Sequence, residues 1–319
     1  MGIITNVTEG VIKKAAKALK DGHLVAFPTE TVYGLGADAT NEMAVGRIYS
    51  VKGRPTDHPI IVHISSINHL DKWAIDIPEY AIKLAREFWP GPMTLILKRS
   101  NLAEDFITGG QDNIGLRAPN QSVALALLNE FEKVGGYGIA APSANRFGAV
   151  SPTTAKAVNE ELCNFLYKKD LILDGGKCMV GVESTIIDCT KDYPVLLRPG
   201  AVTNEMIEKI TSLQLSTQHK KSLIKAPGLL DSHYSPKAKV IICADAEPGE
   251  GFIAMSKILT PEGVIRLATP TNIEQYARDL YSAFRDADIQ GITSIKIVPP
   301  DGNGLAEAIR DRILKASSS

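Results

Sequence analysis

Lys52 and Arg54 stand two residues apart in Lys52-Gly53-Arg54-Pro55, at a turn between an amphipathic and an apolar stretch. The glycine between them would let a ligand approach the backbone closely. Arg117 closes Ile114-Gly115-Leu116, and Arg198 closes Val195-Leu196-Leu197. Thr29, Glu30, Thr31 and Tyr33 follow the apolar run Leu24–Phe27, while Ser143 and Asn145 follow Ile139-Ala140-Ala141-Pro142. Open α/β sheets bind ligands in the crevice outside their strand ends. Three arginines and a lysine converging there suit a polyanion such as ATP, because guanidinium forks grip phosphate oxygens in pairs. Spacing alone equally allows solvated loop charges.

Other chemistries lack their residues. Gly175-Gly176-Lys177-Cys178 has neither the earlier glycine nor the hydroxyl of a phosphate loop. Gly34-Leu35-Gly36-Ala37-Asp38-Ala39 fits GxGxxA, but it begins six residues beyond the strand's end instead of opening a helix directly after it. The six histidines form no HExxH pattern, so no metal site is expected.

The elements that must position these groups alternate. Apolar periodicity predicts helices over 8–21, 41–51, 79–88 and 121–134, with Thr8 as a cap and Gly22 as a stop. Strands are expected at 24–27, 60–64, 93–98, 137–141, 171–174, 184–189 and 194–198. Ser151-Pro152 has the form of a helix opening. From Gln214 to Lys239 the chain is polar and basic, without sustained period, and reads as a linker. Beyond it, strands near 240–242, 252–255, 264–267 and 294–298 alternate with helices over 272–287 and 304–315. That is a βαβ-like second domain.

The 319 residues suit two domains or one large one. With 35 Lys and Arg against 36 Asp and Glu, nucleic-acid binding by bulk positive charge is disfavoured. Four scattered cysteines without a CxxC pair fit a reducing compartment. No run approaches the roughly 18 apolar residues of a membrane span. Met1–Thr8 lacks a secretion-signal pattern. A cytoplasmic protein with no membrane association is expected.

Five motifs occur in an order that resembles the YrdC-like family: Phe27-Pro28-Thr29-Glu30-Thr31-Val32-Tyr33-Gly34-Leu35, Lys52-Gly53-Arg54-Pro55, Trp89-Pro90-Gly91-Pro92-Met93-Thr94, Pro142-Ser143-Ala144-Asn145 and Gly181-Val182-Glu183-Ser184-Thr185. They span about 1–210. His233-Tyr234-Ser235-Pro236 and the second domain are similar to the long form of the threonylcarbamoyl-AMP synthases within that family. The resemblance implies an α/β fold: a twisted open mixed sheet with flanking helices, joined by a linker to a small Rossmann-like α/β domain. The boundaries expected are 1–212, a linker over 213–238 that could serve as an active-site lid, and 239–319.

It also implies a nucleotidyltransferase reaction. L-threonine, bicarbonate and ATP give threonylcarbamoyl-AMP and pyrophosphate, the first step of a tRNA modification. A separate threonylcarbamoyl-transferring complex then acts on the tRNA, and direct tRNA contact by this chain is expected to be weak. Mg2+ is expected with the ATP, from the chemistry alone. Such an enzyme positions reactants and neutralises charge, so it needs no covalent nucleophile. The family pattern assigns Lys52, Arg54, Ser143, Asn145, Ser151, Arg198 and Tyr234 to the nucleotide, with Lys52 and Arg54 central to catalysis. It assigns Thr31, His63, Arg117, Ala141 and Ser184 to threonine, with Arg117 matched to the carboxylate. His58 and Asn113 fall at two further nucleotide positions, where the family usually has Asn and Thr or Ser. Both replacements still donate hydrogen bonds.

Alternatives stay open residue by residue. Ser151 suits a helix cap, His63 suits a satisfied core histidine, and Ser184 and Thr185 suit ordinary sheet positions. A tRNA or double-stranded RNA binder of the same fold is the competing function. Hydrogenase maturation proteins hold a related domain but are longer and carry zinc-finger cysteines that this chain lacks.

Overall fold

The computed structural model describes residues 3–216, 224–228 and 233–318. Ten strands in chain order form the first sheet: β1 (Ile3–Asn6), β2 (Val25–Phe27), β3 (Gly34–Asp38), β4 (Val62–His63), β5 (Met93–Lys98), β6 (Asn113–Arg117), β7 (Ile139–Ala140), β8 (Leu171–Asp174), β9 (Thr185–Asp188) and β10 (Val195–Arg198). Their spatial order is β1-β8-β2-β3-β7-β4-β6-β5-β9-β10. The sheet is mixed: β4 runs parallel to β6 and β5 to β9, while β3–β7, β4–β7 and β5–β6 are antiparallel.

Helices cover both faces, as the two-residue side-chain period requires. Val25 and Phe27 pack with the helices Glu9–Lys20 and Ser122–Lys133, whereas Leu24 and Ala26 pack with Glu42–Lys52 and Ala155–Leu162 on the other face. Thr8 caps the first helix as expected, its hydroxyl accepting from the Val11 amide.

Three local expectations change. Gly34–Asp38 is β3, paired to both β2 and β7, so its glycines serve sheet packing. A Cβ on Gly36 would meet Ile139 at 2.7 Å. Ser151-Pro152 does not open a helix; the helix Ala155–Leu162 starts later and is capped by Thr154. The 60–64 strand shrinks to Val62–His63, because the Ile60 amide bonds the Ile107 carbonyl, outside the sheet ladder. The helix Asn204–Thr211, capped by Thr203, was not read from the sequence.

The second unit holds the parallel strands β11 (Lys239–Ile242), β12 (Gly251–Ile253), β13 (Ile265–Ala268) and β14 (Ser294–Ile297), ordered β11-β14-β12-β13. Helices Ile273–Ile289 and Leu305–Ser317 pack on it. It is no loose appendage. Tyr276, Leu280, Tyr281 and Phe284 share one apolar cluster with Val32, Val150 and Val182 of the first unit. Gly181, at φ +86°, lies so close that a Cβ there would meet the Ala277 carbonyl oxygen at 2.4 Å. Glycine is the residue that permits both that backbone conformation and that approach.

Candidate active site

The strands bring most of the singled-out residues to one crevice of about 650 Å³, its open mouth included. Thr31, Lys52, Arg54, His63, Arg117, Ala141, Ser143, Asn145, Ser184, Arg198 and Tyr234 all line it. It is not the carboxyl edge of a parallel sheet. β2 and β7 run opposite to β4, β6 and β10, so their ends point the other way. The two sets of ends still meet, because β4 and β7 are only two residues long. Within them His63 stands opposite Arg117 in the β4–β6 register.

One end is cationic. Lys52 ends its helix, and its ammonium donates to the carbonyls of Ser143 at 2.7 Å and Asn145 at 2.5 Å. Gly53 caps that helix in the left-handed region, with the Arg146 guanidinium 2.7 Å from where a Cβ would be, so this glycine serves the turn and Arg146. Arg54 donates to the carbonyls of His58 and Pro59 at 3.3 and 2.9 Å and lies 5.7 Å from the Phe147 ring. Arg198 donates to the Ser184 and Pro227 carbonyls, both at 3.0 Å. Lys52, Arg54 and Arg198 are only 2%, 8% and 3% exposed, and among the described residues none has a carboxylate ion-pair partner. Burial, then the neighbouring Arg54, pulls Lys52 well below its ordinary pKa. Burial likewise brings Arg54 down to about 10.

The other end is a balanced pair. Arg117 Nη2 lies 2.7 Å from Glu30 Oε1, and Nη1 donates to Thr31 Oγ1 at 2.9 Å. Nε donates to the Gly91 carbonyl, which leaves further N–H groups for a ligand. His63 is buried, edge-on to Phe27, with its Nδ1 unpartnered among the described residues, and burial followed by the nearby Arg117 pushes it down to about 3. It is neutral at physiological pH. Ser184 Oγ shares a hydrogen bond with Thr94 Oγ1 at 2.8 Å, so Ser184 is tied to the sheet while facing the crevice.

Three singled-out residues do not line the crevice. His58 packs edge-on against Phe147, whose ring does line it. Asn113 begins β6, four residues before Arg117, and borders a smaller cleft beside Pro227. Ser151 is no helix cap: its fully buried hydroxyl donates to Glu183 Oε1 at 2.6 Å.

Sequence reasoning missed two charged contributors. Glu30 sits inside a quoted motif but was not assigned. Glu183 lines the crevice and is held by Arg312 at 2.8 Å and Tyr281 at 2.9 Å. Burial alone would raise its carboxyl, but Arg312 and then Arg198 hold it at about 2. Its signal was a lone carboxylate between Val182 and a buried strand, which demands a partner.

The roof comes from the linker. His233 meets Tyr234 edge-on at 4.0 Å, and Tyr234 stacks on Tyr281 at 5.8 Å. Burial pushes His233 down to about 3, with Glu183 opposing and Lys52, Arg54 and Arg198 reinforcing. The Tyr234 hydroxyl, raised to about 12 by burial and then Glu183, is buried without a hydrogen-bond partner among the described residues. Lys220 and Lys221 of the linker lie outside the described residues.

Among the described residues no group of three His, Cys, Asp or Glu converges to hold a metal ion. An Mg2+ ion would enter such a lining only on a bound phosphate ligand, keeping its own waters. Asn145 Oδ1, buried and unpartnered among the described residues, is an oxygen able to meet one of them. No helix among the described residues is long and apolar enough to cross a membrane.

A cation-lined crevice in a large mixed sheet, roofed by the linker to a second α/β unit, has counterparts among known proteins. Residues 17–200 match the Sua5_yciO_yrdC family model, described as "Telomere recombination", and residues 202–318 match "Threonylcarbamoyl-AMP synthase, C-terminal domain". Escherichia coli YciO shares the fold of the first unit alone, with a TM-score of 0.54 at 22% identity over 63% of this chain and 96% of its own. The likeness to the threonylcarbamoyl-AMP synthase of Pyrococcus abyssi runs through both units, at 42% identity over 99% of this chain and 98% of that protein. The Bacillus subtilis enzyme of that name is 38% identical over 96% of this chain and 92% of its own. The crystal structure of P. abyssi Sua5 complexed with L-threonine superposes with a TM-score of 0.88 at 39% identity, covering 99% of this chain and 98% of the other. The chain belongs to the threonylcarbamoyl-AMP synthase family.

Proposed function

We propose that this crevice joins L-threonine, bicarbonate and ATP into threonylcarbamoyl-AMP, releasing pyrophosphate and water. The threonine amine captures carbon dioxide as a carbamate, whose oxygen attacks the α-phosphorus while pyrophosphate leaves. The chain is thus a nucleotidyltransferase. One observation carries the reading: Lys52, Arg54 and Arg198 converge without carboxylate partners among the described residues, beside a separate Arg117–Glu30 end.

The phosphates fit the first end and the threonine carboxylate the second, met by the spare Arg117 donors. Charge developing on the leaving pyrophosphate meets Lys52 and Arg54, already held in place by backbone carbonyls. Ser143 and Asn145 are held through those carbonyls to Lys52. Ser151 acts through Glu183, and His58 through Phe147. Neutral His63 and the Ala141 methyl flank the amino-acid end without adding charge. Mg2+ bound to the triphosphate would offset phosphate charge. We assign catalysis to residues 1–212, the roof to the linker 213–238, and support to 239–319. The adenylate, being reactive, is handed to a separate cytoplasmic complex that modifies tRNA.

An RNA-binding role suits the geometry poorly, since cations only 2–8% exposed at the bottom of a crevice are out of reach of a duplex backbone. The test is mass spectrometry of products after incubation with ATP, Mg2+, bicarbonate and threonine. Threonylcarbamoyl-AMP with matching pyrophosphate is expected. Pyrophosphate release that ignores threonine would overturn the assignment.

A further inference from the structure

Arg312 lies on the helix Leu305–Ser317, far along the chain from every family motif of the first unit, yet its side chain is fully buried beside the crevice. Nε donates to Glu183 Oε2 at 2.8 Å, Nη2 to the Pro199 carbonyl at 3.1 Å and Nη1 to Asp311 at 2.5 Å. The guanidinium also lies 5.3 Å from the centre of the Tyr234 ring. Glu183 in turn accepts from Ser151 and from Tyr281, the latter again on the C-terminal unit.

A carboxylate is an odd lining for a site that takes a polyanion. In a low-dielectric crevice a bare Glu183 would repel phosphate and draw on Arg198, which it already feels. Arg312 prevents both. Asp311 is matched in its turn by Lys315 at 2.7 Å, so the added charges cancel in pairs. Lys52, Arg54 and Arg198 then keep their charge for the ligand.

We propose that Arg312 is a positioning residue for the reaction: it is the C-terminal unit's counter-charge to Glu183, keeping that carboxylate from opposing the nucleotide phosphates and seating Ser151 and Tyr234. The proposal rests on the ATP reading of the crevice. It gives the second unit a part in nucleotide binding without contact to any substrate.

Calorimetric binding of a non-hydrolysable ATP analogue and of L-threonine to the full chain tests it, using Arg312→Met, Glu183→Gln and the double variant. Arg312→Met should weaken the analogue about 10-fold or more, because it strands a buried carboxylate among phosphates, and change threonine affinity less than about threefold. The double variant should return to within about threefold of wild type, since a buried pair replaced by neutral groups is tolerated. A purely structural bolt predicts instead that analogue and threonine affinity fall together in Arg312→Met. That result, or wild-type affinity in Arg312→Met, would overturn the proposal. Should Arg312→Met not fold, Glu183→Gln decides alone: it should bind the analogue at least as tightly as wild type, and a loss of about 10-fold overturns the idea. A wild-type chain that fails to bind the analogue overturns the ATP reading and this proposal together. Normal wild-type binding without rescue overturns only the role of Arg312.

Discussion

Glu30 Oε1 lies 2.7 Å from Arg117 Nη2, both side chains buried, so the guanidinium at the proposed amino-acid end is oriented before any ligand arrives. Arg117→Ala should therefore raise the KM for threonine at least about 30-fold, the scale of losing one buried charge-assisted contact, with little change for ATP. Glu30→Gln should move it the same way by less. Steady-state kinetics with each substrate varied checks this. An Arg117→Ala enzyme that lost ATP affinity and kept threonine affinity would mean the two ends are assigned the wrong way round.

Lys52→Ala and Arg54→Ala should each lower turnover about 100-fold or more, as loss of a preorganised cation does. They are not exposed charges, so stability is also affected. Without Lys52 the buried carbonyls of Ser143 and Asn145 lose their donor, at a cost of about 1–3 kcal/mol. Thermal melts should show Lys52→Ala less stable, and saturating ATP should not restore its turnover. Wild-type kcat in either variant would remove these cations from the chemistry.

His63 and His233 give the stability a pH slope. Unfolded, each takes a proton near 6.5; folded, only near 3. Between those values the unfolded chain binds more protons, so stability falls as pH falls, by up to about 1.4 kcal/mol per pH unit for each histidine. The loss of Glu183's stabilisation follows the same sign but sets in lower, between 4.5 and about 2. Melting temperatures recorded from pH 7.5 to 4.5 should fall, and His63→Gln or His233→Gln should each flatten the slope. Unchanged slopes would show that these rings do not stay neutral on folding.

Serine in place of threonine should cut kcat/KM about 10- to 200-fold, the worth of one methyl in a fitted pocket. Ile61 and Ala141 supply apolar wall at this end. Equal turnover of glycine, serine and threonine would show that no methyl pocket exists.

The legible part of the site was what sits in contiguous motifs. Lys52, Arg54, Ser143 and Asn145 were readable because the same short turns that carry them also fix them. Ser151 misled, since Ser-Pro is a generic helix opening while its actual partner, Glu183, lies 32 residues on. Arg312 was hidden further: it occupies the buried face of its helix beside Ile309 and Ile313, where an arginine is explained only by a carboxylate from the other unit. β3 escaped because its glycines were weighed only as a GxGxxA motif, though small residues are what Ile139 and Phe27 leave room for. Helix and strand periods reveal elements; which of them meet is decided by partners distant in the chain.

The linker should act as a lid. Its described pieces already hold the crevice: Lys225 pairs with Asp57 at 2.6 Å, its amide donates to Gln111 Oε1 at 2.7 Å, and the Pro227 carbonyl accepts from Arg198. His233 and Tyr234 close the top over Phe147. Shielding a carbamate and its adenylate from water would keep both from hydrolysis. Removing everything after residue 213 is a poor test, because it would expose Val32, Val150 and Val182 along with the crevice. The internal double variant His233→Ala/Tyr234→Ala leaves that interface covered. It should consume more ATP per threonylcarbamoyl-AMP formed, measured as the ratio of phosphate species to product by mass spectrometry. ATP with threonine should also slow tryptic cleavage at Lys225 in the unaltered chain. Unchanged coupling in the double variant, together with no protection at Lys225, would make the segment a tether and nothing more.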